Sequence, residues 1–130
     1  MSAEATAYAP RTFALTRADL LAYAEASGDH NPIHQSDEAA AAVGLPGVIA
    51  HGMLTMGLVA SAVSDWTGGA DVLELATKFT SPVVVPAQGA AEVTVAVKSA
   101  KPGDGTLALA LEVTCGDQRV LGNPRAVVRL

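Results

Sequence analysis

Gly28-Asp29-His30-Asn31-Pro32-Ile33-His34 places a carboxylate, two imidazoles and a side-chain amide around one proline. Turns seldom carry this much titratable chemistry. An imidazole with an ordinary pKa of about 6.5 can take or give a proton near neutral pH, and a neighbouring carboxylate can orient it or share the work. Pro32 lacks an N–H and pushes Asn31 away from helical geometry, so the segment is expected to be a rigid turn and not a continuous helix. A plainer account is also available: Gly28 caps a helix, Asp29 and Asn31 form the turn, and His34 is a surface histidine.

A second polar break, His51-Gly52, precedes a long apolar run. The start of a buried helix offers backbone N–H groups without intrahelical partners, and glycine lets a substrate come close to them. Base, acid and oxyanion donor are what hydration of a double bond conjugated to a thioester requires. One group takes a proton from water, one delivers a proton to the α-carbon, and donors hold the enolate oxygen. His51 is expected to shape the helix start. A metal reading of Asp29, His30 and His34 is set aside, because Pro32 breaks the helical spacing of such ligands and no further cluster follows.

The elements that must position these groups are legible. Thr16 opens a helix, with Asp19 three residues on as a capping box, and Leu20, Leu21 and Ala24 form its apolar face before Gly28 ends it. Ser36, followed by Asp37 and Glu38, starts a short second helix that Gly44 and Pro46 stop. Met53–Asp65 reads as a helix apolar on all sides, and therefore buried. Pro46, Gly47, His51 and Gly52 interrupt the apolar run, so it is too short for a membrane span.

Three stretches then alternate with period two: Leu73 to Thr80, Ala91 to Lys98 and Leu107 to Thr114. Each is expected to be a strand with one face buried. Pro102–Gly105 and Cys115-Gly116-Asp117 are hairpin turns, and a last strand runs from about Val120 to Leu130, with Pro124 confining its start to an edge or a bulge. Helices first and antiparallel strands after make an α+β domain, a sheet wrapped around one buried helix.

Composition bounds the function. A chain of 130 residues, half hydrophobic and 16% charged, fills one core and is expected to form one domain, 1–130, after a flexible stretch at 1–10. The net charge of −5 argues against nucleic-acid binding. It is uneven: residues 1–71 hold eight acids and two bases, residues 72–130 five acids and six bases. Ordinary solvated strand faces are the favoured account of this asymmetry; if a phosphorylated ligand binds, the second half is where it is expected. Cys115 is the only cysteine, which excludes an intrachain disulfide and a cysteine-based metal cluster and fits a reducing cytoplasm. Met1–Pro10 lacks the basic and apolar regions of a secretory signal.

The stretch from Tyr23 to His34, with Ser27-Gly28-Asp29-His30-Asn31-Pro32-Ile33-His34 at its end, closely resembles the hydratase-2 motif of the MaoC-like family, and Ile49–Gly57 resembles the start of that family's central helix. Within the family the likeness is greatest to the B subunits of heterodimeric (3R)-hydroxyacyl-carrier-protein dehydratases. The resemblance implies a hotdog fold and interconversion of trans-2-enoyl and (3R)-hydroxyacyl thioesters, on CoA or acyl carrier protein. It implies Asp29 and His34 as the catalytic pair, the Gly52 N–H as oxyanion donor, Asn31 as a support of the loop, no cofactor, and a homodimer or a heterodimer with a related hotdog subunit. Lys78-Phe79 stands where many relatives have Arg-Phe, keeping a charge but losing the guanidinium fork. Lys78, Lys98 and Lys101 are candidates for a local basic patch toward an acidic carrier protein. Two rival readings are a hotdog thioesterase and a non-catalytic acyl-binding subunit. The first needs a carboxylate on the buried helix, where only Asp65 at the far end offers one; the second has no use for Asp29 and His34.

Overall fold

A computed structural model describes residues 8–130. Strand β1 (Arg11–Leu15) leads through Thr16 into helix α1 (Arg17–Ser27). Both halves of the capping box form: Asp19 N–H donates to Thr16 Oγ1 at 3.2 Å, and Thr16 N–H to Asp19 Oδ2 at 2.9 Å. At the other end Gly28 takes a φ of 79°, a left-handed conformation that glycine reaches without steric cost, and its N–H closes on the Ala24 carbonyl. A 3₁₀ turn (Pro32–His34) and a short helix α2 (Asp37–Ala42), capped by Ser36, follow. Helix α3 (Gly52–Thr67) ends at Gly68, also left-handed.

The rest is one antiparallel sheet: β2 (Asp71–Phe79), β3 (Ala91–Pro102), β4 (Thr106–Cys115), the two-residue β5 (Gln118–Arg119) and β6 (Leu121–Arg129). Its order is β1-β3-β4-β6-β2, with β5 pairing β4. The alternation expected for β3 and β4 holds: Ala91, Val93 and Val95, with Leu107, Leu109, Leu111 and Val113, are buried and face Val59, Ala62 and Val63 of α3 in one core cluster. Each valine and leucine among these, removed from water, contributes roughly 1.5–3 kcal/mol. Both expected hairpin turns form, with Gly105 and Gly116 at positive φ.

Four expectations need correction. The chain does not begin with helices: strand β1 precedes α1 and pairs with β3 at the edge of the sheet. Helix α3 is not buried all round: Thr55, Val59, Ala62 and Val63 face the core, whereas Met53, Gly57 and Ser61 are exposed. A helix laid on one sheet has only one covered face. Strand β2 has neither face buried, and Leu73 and Phe79 are 46% and 58% exposed. It is an edge strand, and two register shifts against β6, between Val72 and Glu74 and between Ala76 and Lys78, break its period. Strand β6 is central and not at an edge, so Pro124 sits in the second irregularity, buried next to Asn123 at a φ of 48°. The bulge half of that expectation holds.

The flexibility expected for residues 1–7 falls outside the described residues. Of the next residues, Tyr8 packs edge-on against Trp66, and the Ala9 carbonyl accepts from Trp66 Nε1 at 2.9 Å.

Candidate active site

The loop after α1 is built from two nested side-chain turns. Asn31 N–H donates to Asp29 Oδ1 at 3.2 Å, and Ile33 N–H to Asn31 Oδ1 at 3.2 Å. Such bonds mimic a backbone turn and hold the carboxylate in place. Pro32, at the first position of the 3₁₀ turn, needs no donor there. The turn delivers His34 inward, where it is only 7% exposed, while Asp29 stays at the surface.

What receives His34 is the segment before α3. His34 Nδ1 lies 2.7 Å from the Ile49 carbonyl oxygen, and Ile49 N–H donates to the Ile33 carbonyl at 3.2 Å. A carbonyl only accepts, so Nδ1 carries a proton and, in the neutral ring, Nε2 is left as a base. The same segment is bonded to residues 83–85 through Ala50 N–H to Val83 O and Val85 N–H to Val48 O, both 2.9 Å. Behind it, Asp37 Oδ1 accepts from Val48 N–H at 3.0 Å and from Arg17 at 2.9 Å, and Arg17 Nε donates to Val85 O at 2.7 Å. The Val48 N–H and the Arg17 guanidinium hold the Asp37 carboxyl below the usual carboxylate range.

His51, at the N-cap of α3, makes no side-chain cap bond. Its ring, 2% exposed, stacks on His34 with centroids 3.8 Å apart and planes at 22°. Tyr23 flanks it with a 4.7 Å centroid separation, and its Nε2 lies 3.1 Å from the Asp29 backbone carbonyl. Burial pushes the His51 pKa below the ordinary histidine value, against the opposing pull of that hydrogen bond. Candidate ligand atoms of Asp29, His34 and His51 all lie within 4.8 Å of one another. A metal must lie in the plane of each imidazole it binds, and two rings stacked nearly parallel cannot both aim a lone pair at one ion.

Beside His34 lies a cavity of about 350 Å³, lined by Ala50, Gly52, Thr55, Phe79 and Val83 among others. Gly52 is the first residue of α3, where helix geometry leaves the N–H without an intrahelical partner and the dipole favours negative charge. A Cβ at Gly52 would sit 3.0 Å and 3.1 Å from two carbons of the Phe79 ring. Glycine here lets an aromatic ring close down over the helix start. One apolar cavity therefore joins a buried imidazole to a free helix N-terminus, with a carboxylate close by.

A family profile described as "MaoC like domain" matches residues 2–114. The chain belongs to the MaoC-like domain family. The MaoC-like chain is 40% identical over 73 residues to 3-hydroxyacyl-thioester dehydratase X of Mycobacterium tuberculosis, covering 56% of this chain and 25% of that protein. It is 30% identical to 3-hydroxybutyryl-CoA dehydratase of Methylorubrum extorquens over 82% of this chain and 68% of that one. Among solved structures it is similar to the (R)-hydratase from A. caviae involved in PHA biosynthesis, with a TM-score of 0.79 and 26% identity over 94% of this chain and 92% of that one. These likenesses bear out the hotdog architecture expected from the sequence. The chain spans only a quarter of the length of the mycobacterial relative.

In this MaoC-like domain the expected residues meet as follows. Asp29, His34 and His51 cluster, and Gly52 shares the cavity with His34. Asn31 braces the loop. His30 is solvated, its side chain 53% exposed and 3.9 Å from Glu25. Asp65, the only carboxylate on α3, is 2.6 Å from Arg11 and engaged there. Lys78 is on edge strand β2, whereas Lys98 and Lys101 are on β3 with β4 and β6 between, so the three do not share one strand pair. Sequence reading missed the Ile49 carbonyl, Tyr23 against His51, and Phe79 against Gly52. Backbone acceptors and cross-element aromatic contacts leave no spacing signal. Thr55, buried and lining the cavity, was within reach, one helical turn after His51.

Proposed function

We propose that the chain is a hydro-lyase that interconverts trans-2-enoyl and (3R)-hydroxyacyl thioesters carried on CoA or acyl carrier protein. The observation that carries this reading is the cavity shared by His34 and Gly52, with the Asp29 carboxylate beside the imidazole. Asp29 and His34 hold one water between them. The pair takes a proton from that water as its oxygen attacks the β-carbon, and returns a proton to the α-carbon on the same face. The Gly52 N–H, reinforced by the helix dipole, stabilises the enolate oxygen that forms. Dehydration is the same path reversed. Asn31 and His51 support the pair, and no cofactor takes part. The two titrating groups act as a coupled unit, so acid and base are assigned to the pair.

A thioesterase is less well supported, because Asp65 is engaged with Arg11 at the outer surface. The non-catalytic subunit is disfavoured by the organised Asp29-His34 pair.

The reading extends to partners and place. Residues 1–130 form one domain, which dimerises through β2 with a second copy or a related hotdog chain. In support, β2 is an edge strand exposing Val72, Leu73 and Phe79, the last of which also lines the cavity. No helix among the described residues is long and apolar enough to cross a membrane. A lone thiol fits a cytoplasmic setting.

The test is loss of conjugated-thioester absorbance when the purified chain meets a short trans-2-enoyl-CoA, with Asp29→Asn and His34→Ala alongside. Turnover by wild type and its loss in both variants supports the scheme. Near-normal turnover in His34→Ala overturns it, and release of free thiol points to the thioesterase.

A further inference from the structure

We propose that His51 is a positioning residue that works as a neutral imidazole with its proton fixed on Nε2, and that the stacked pair of His51 and His34 takes up only one proton. This rests on the reading of Asp29 and His34 as the catalytic pair.

The tautomer follows from partners. The Asp29 carbonyl oxygen, 3.1 Å away, can only accept, so Nε2 must donate. The lone pair is then on Nδ1, which is buried and meets no hydrogen-bond partner among the described residues. Protonating Nδ1 would create a buried N–H with no acceptor, which is costly. It would also place a cation in a ring stacked 3.8 Å from His34, the ring that must itself accept a proton.

The titratable groups facing His51 are Tyr23 from α1, Asp29 from the loop and His34 from the 3₁₀ turn. Asp29 alone is acidic among them, and it is exposed, so solvent screens its pull. Burial lowers the His51 pKa, and a charged His34 lowers it further.

Two consequences reach the reacting atoms. The Nε2–H bond pins the main chain from which the Asp29 carboxylate projects. The neutral ring gives His34 a flat partner that tolerates a positive charge on its neighbour. Ala50 and Gly52, on either side of His51, line the cavity, so the ring braces the site from behind.

The experiment compares His51→Phe, which keeps a stacked ring without a donor, with His51→Gln, which restores a side-chain N–H. Loss of the Asp29 anchor misplaces the carboxylate, and kcat for enoyl-CoA hydration is expected to fall roughly tenfold to a hundredfold in His51→Phe with KM little changed. His51→Gln should recover most of it. In parallel, ¹⁵N-histidine NMR of the substrate-free wild type is expected to show His51 protonated at Nε2 and still neutral at the pH where His34 becomes charged.

Wild-type kcat in His51→Phe overturns the positioning role. A His51 proton on Nδ1, or both rings charging together, overturns the one-proton pair. If His51→Phe fails to fold, the wild-type nitrogen shifts and the His51→Gln rates still decide. Wild type inert toward all enoyl thioesters would defeat the proposed hydro-lyase activity instead, and the NMR result would stand apart from it.

Discussion

His34 Nδ1 and the Ile49 carbonyl oxygen are 2.7 Å apart, across fifteen residues of sequence. This contact selects the tautomer, opposite to that of the ring stacked on it. Neutral His34 should show its proton on Nδ1 by ¹⁵N NMR. His34→Ala should lower hydration by about 10²–10⁴-fold, the usual worth of one acid–base group, while circular dichroism stays native. A proton found on Nε2 would remove the base from the cavity.

Gly52→Ala tests the helix start. The added methyl would sit 3.0 Å and 3.1 Å from two carbons of the Phe79 ring, so the ring must give way by a few tenths of an ångström. We expect a small change in Tm and a fall in kcat/KM of roughly tenfold from crowding at the N–H. Adding Phe79→Ala should restore part of the loss, a coupling read by a double-mutant cycle. Strict additivity would show that the ring is not the obstacle.

Asp37 ties Arg17 to the Val48 N–H, and its carboxyl is held below the usual range. A folded pKa below the unfolded one contributes stability above the unfolded value, about 3.9, and that contribution is lost as pH falls through the lower folded value. Asp37→Asn should therefore be less stable than wild type at neutral pH, with the gap closing in acid. Denaturant melts across pH read it, and a gap independent of pH would contradict it.

His51 has the same sign by another route. Its folded pKa is depressed by burial, so its contribution is complete above the unfolded value of about 6.5 and is lost as pH falls below it. Wild type should lose stability on mild acidification more steeply than His51→Phe. Parallel Tm-against-pH curves would count against a buried neutral histidine.

The β2 edge carries the proposed dimer. Leu73→Lys puts a charge on a strand that is 46% exposed at that residue and should shift the assembly toward monomer in light scattering. An unchanged mass would send the interface elsewhere.

The capping box at α1 was legible as Thr16 and Asp19, the stop at Gly28, the turn at Pro32, the cap at Ser36 and the alternation of β3 and β4, because each depends on neighbours in the chain. The candidate site was legible as residue types and as a motif for the same reason: Asp29, Asn31 and His34 belong to one loop whose side chains bond its own backbone. Tertiary structure alone decided what that loop meets. Ile49 receives His34, His51 reaches back to Asp29, and Phe79 lies over Gly52, all through pairings of distant backbone or ring surfaces that carry no periodicity. It also overrode two readings of apolar pattern, the alternation of β2 and the all-round apolarity of α3. Alternation reports an apolar pattern and not how many neighbours cover it, so β2 became a bulged edge and α3 kept an exposed face. Local bonding is written residue by residue, whereas burial belongs to whichever surfaces the folded chain brings together.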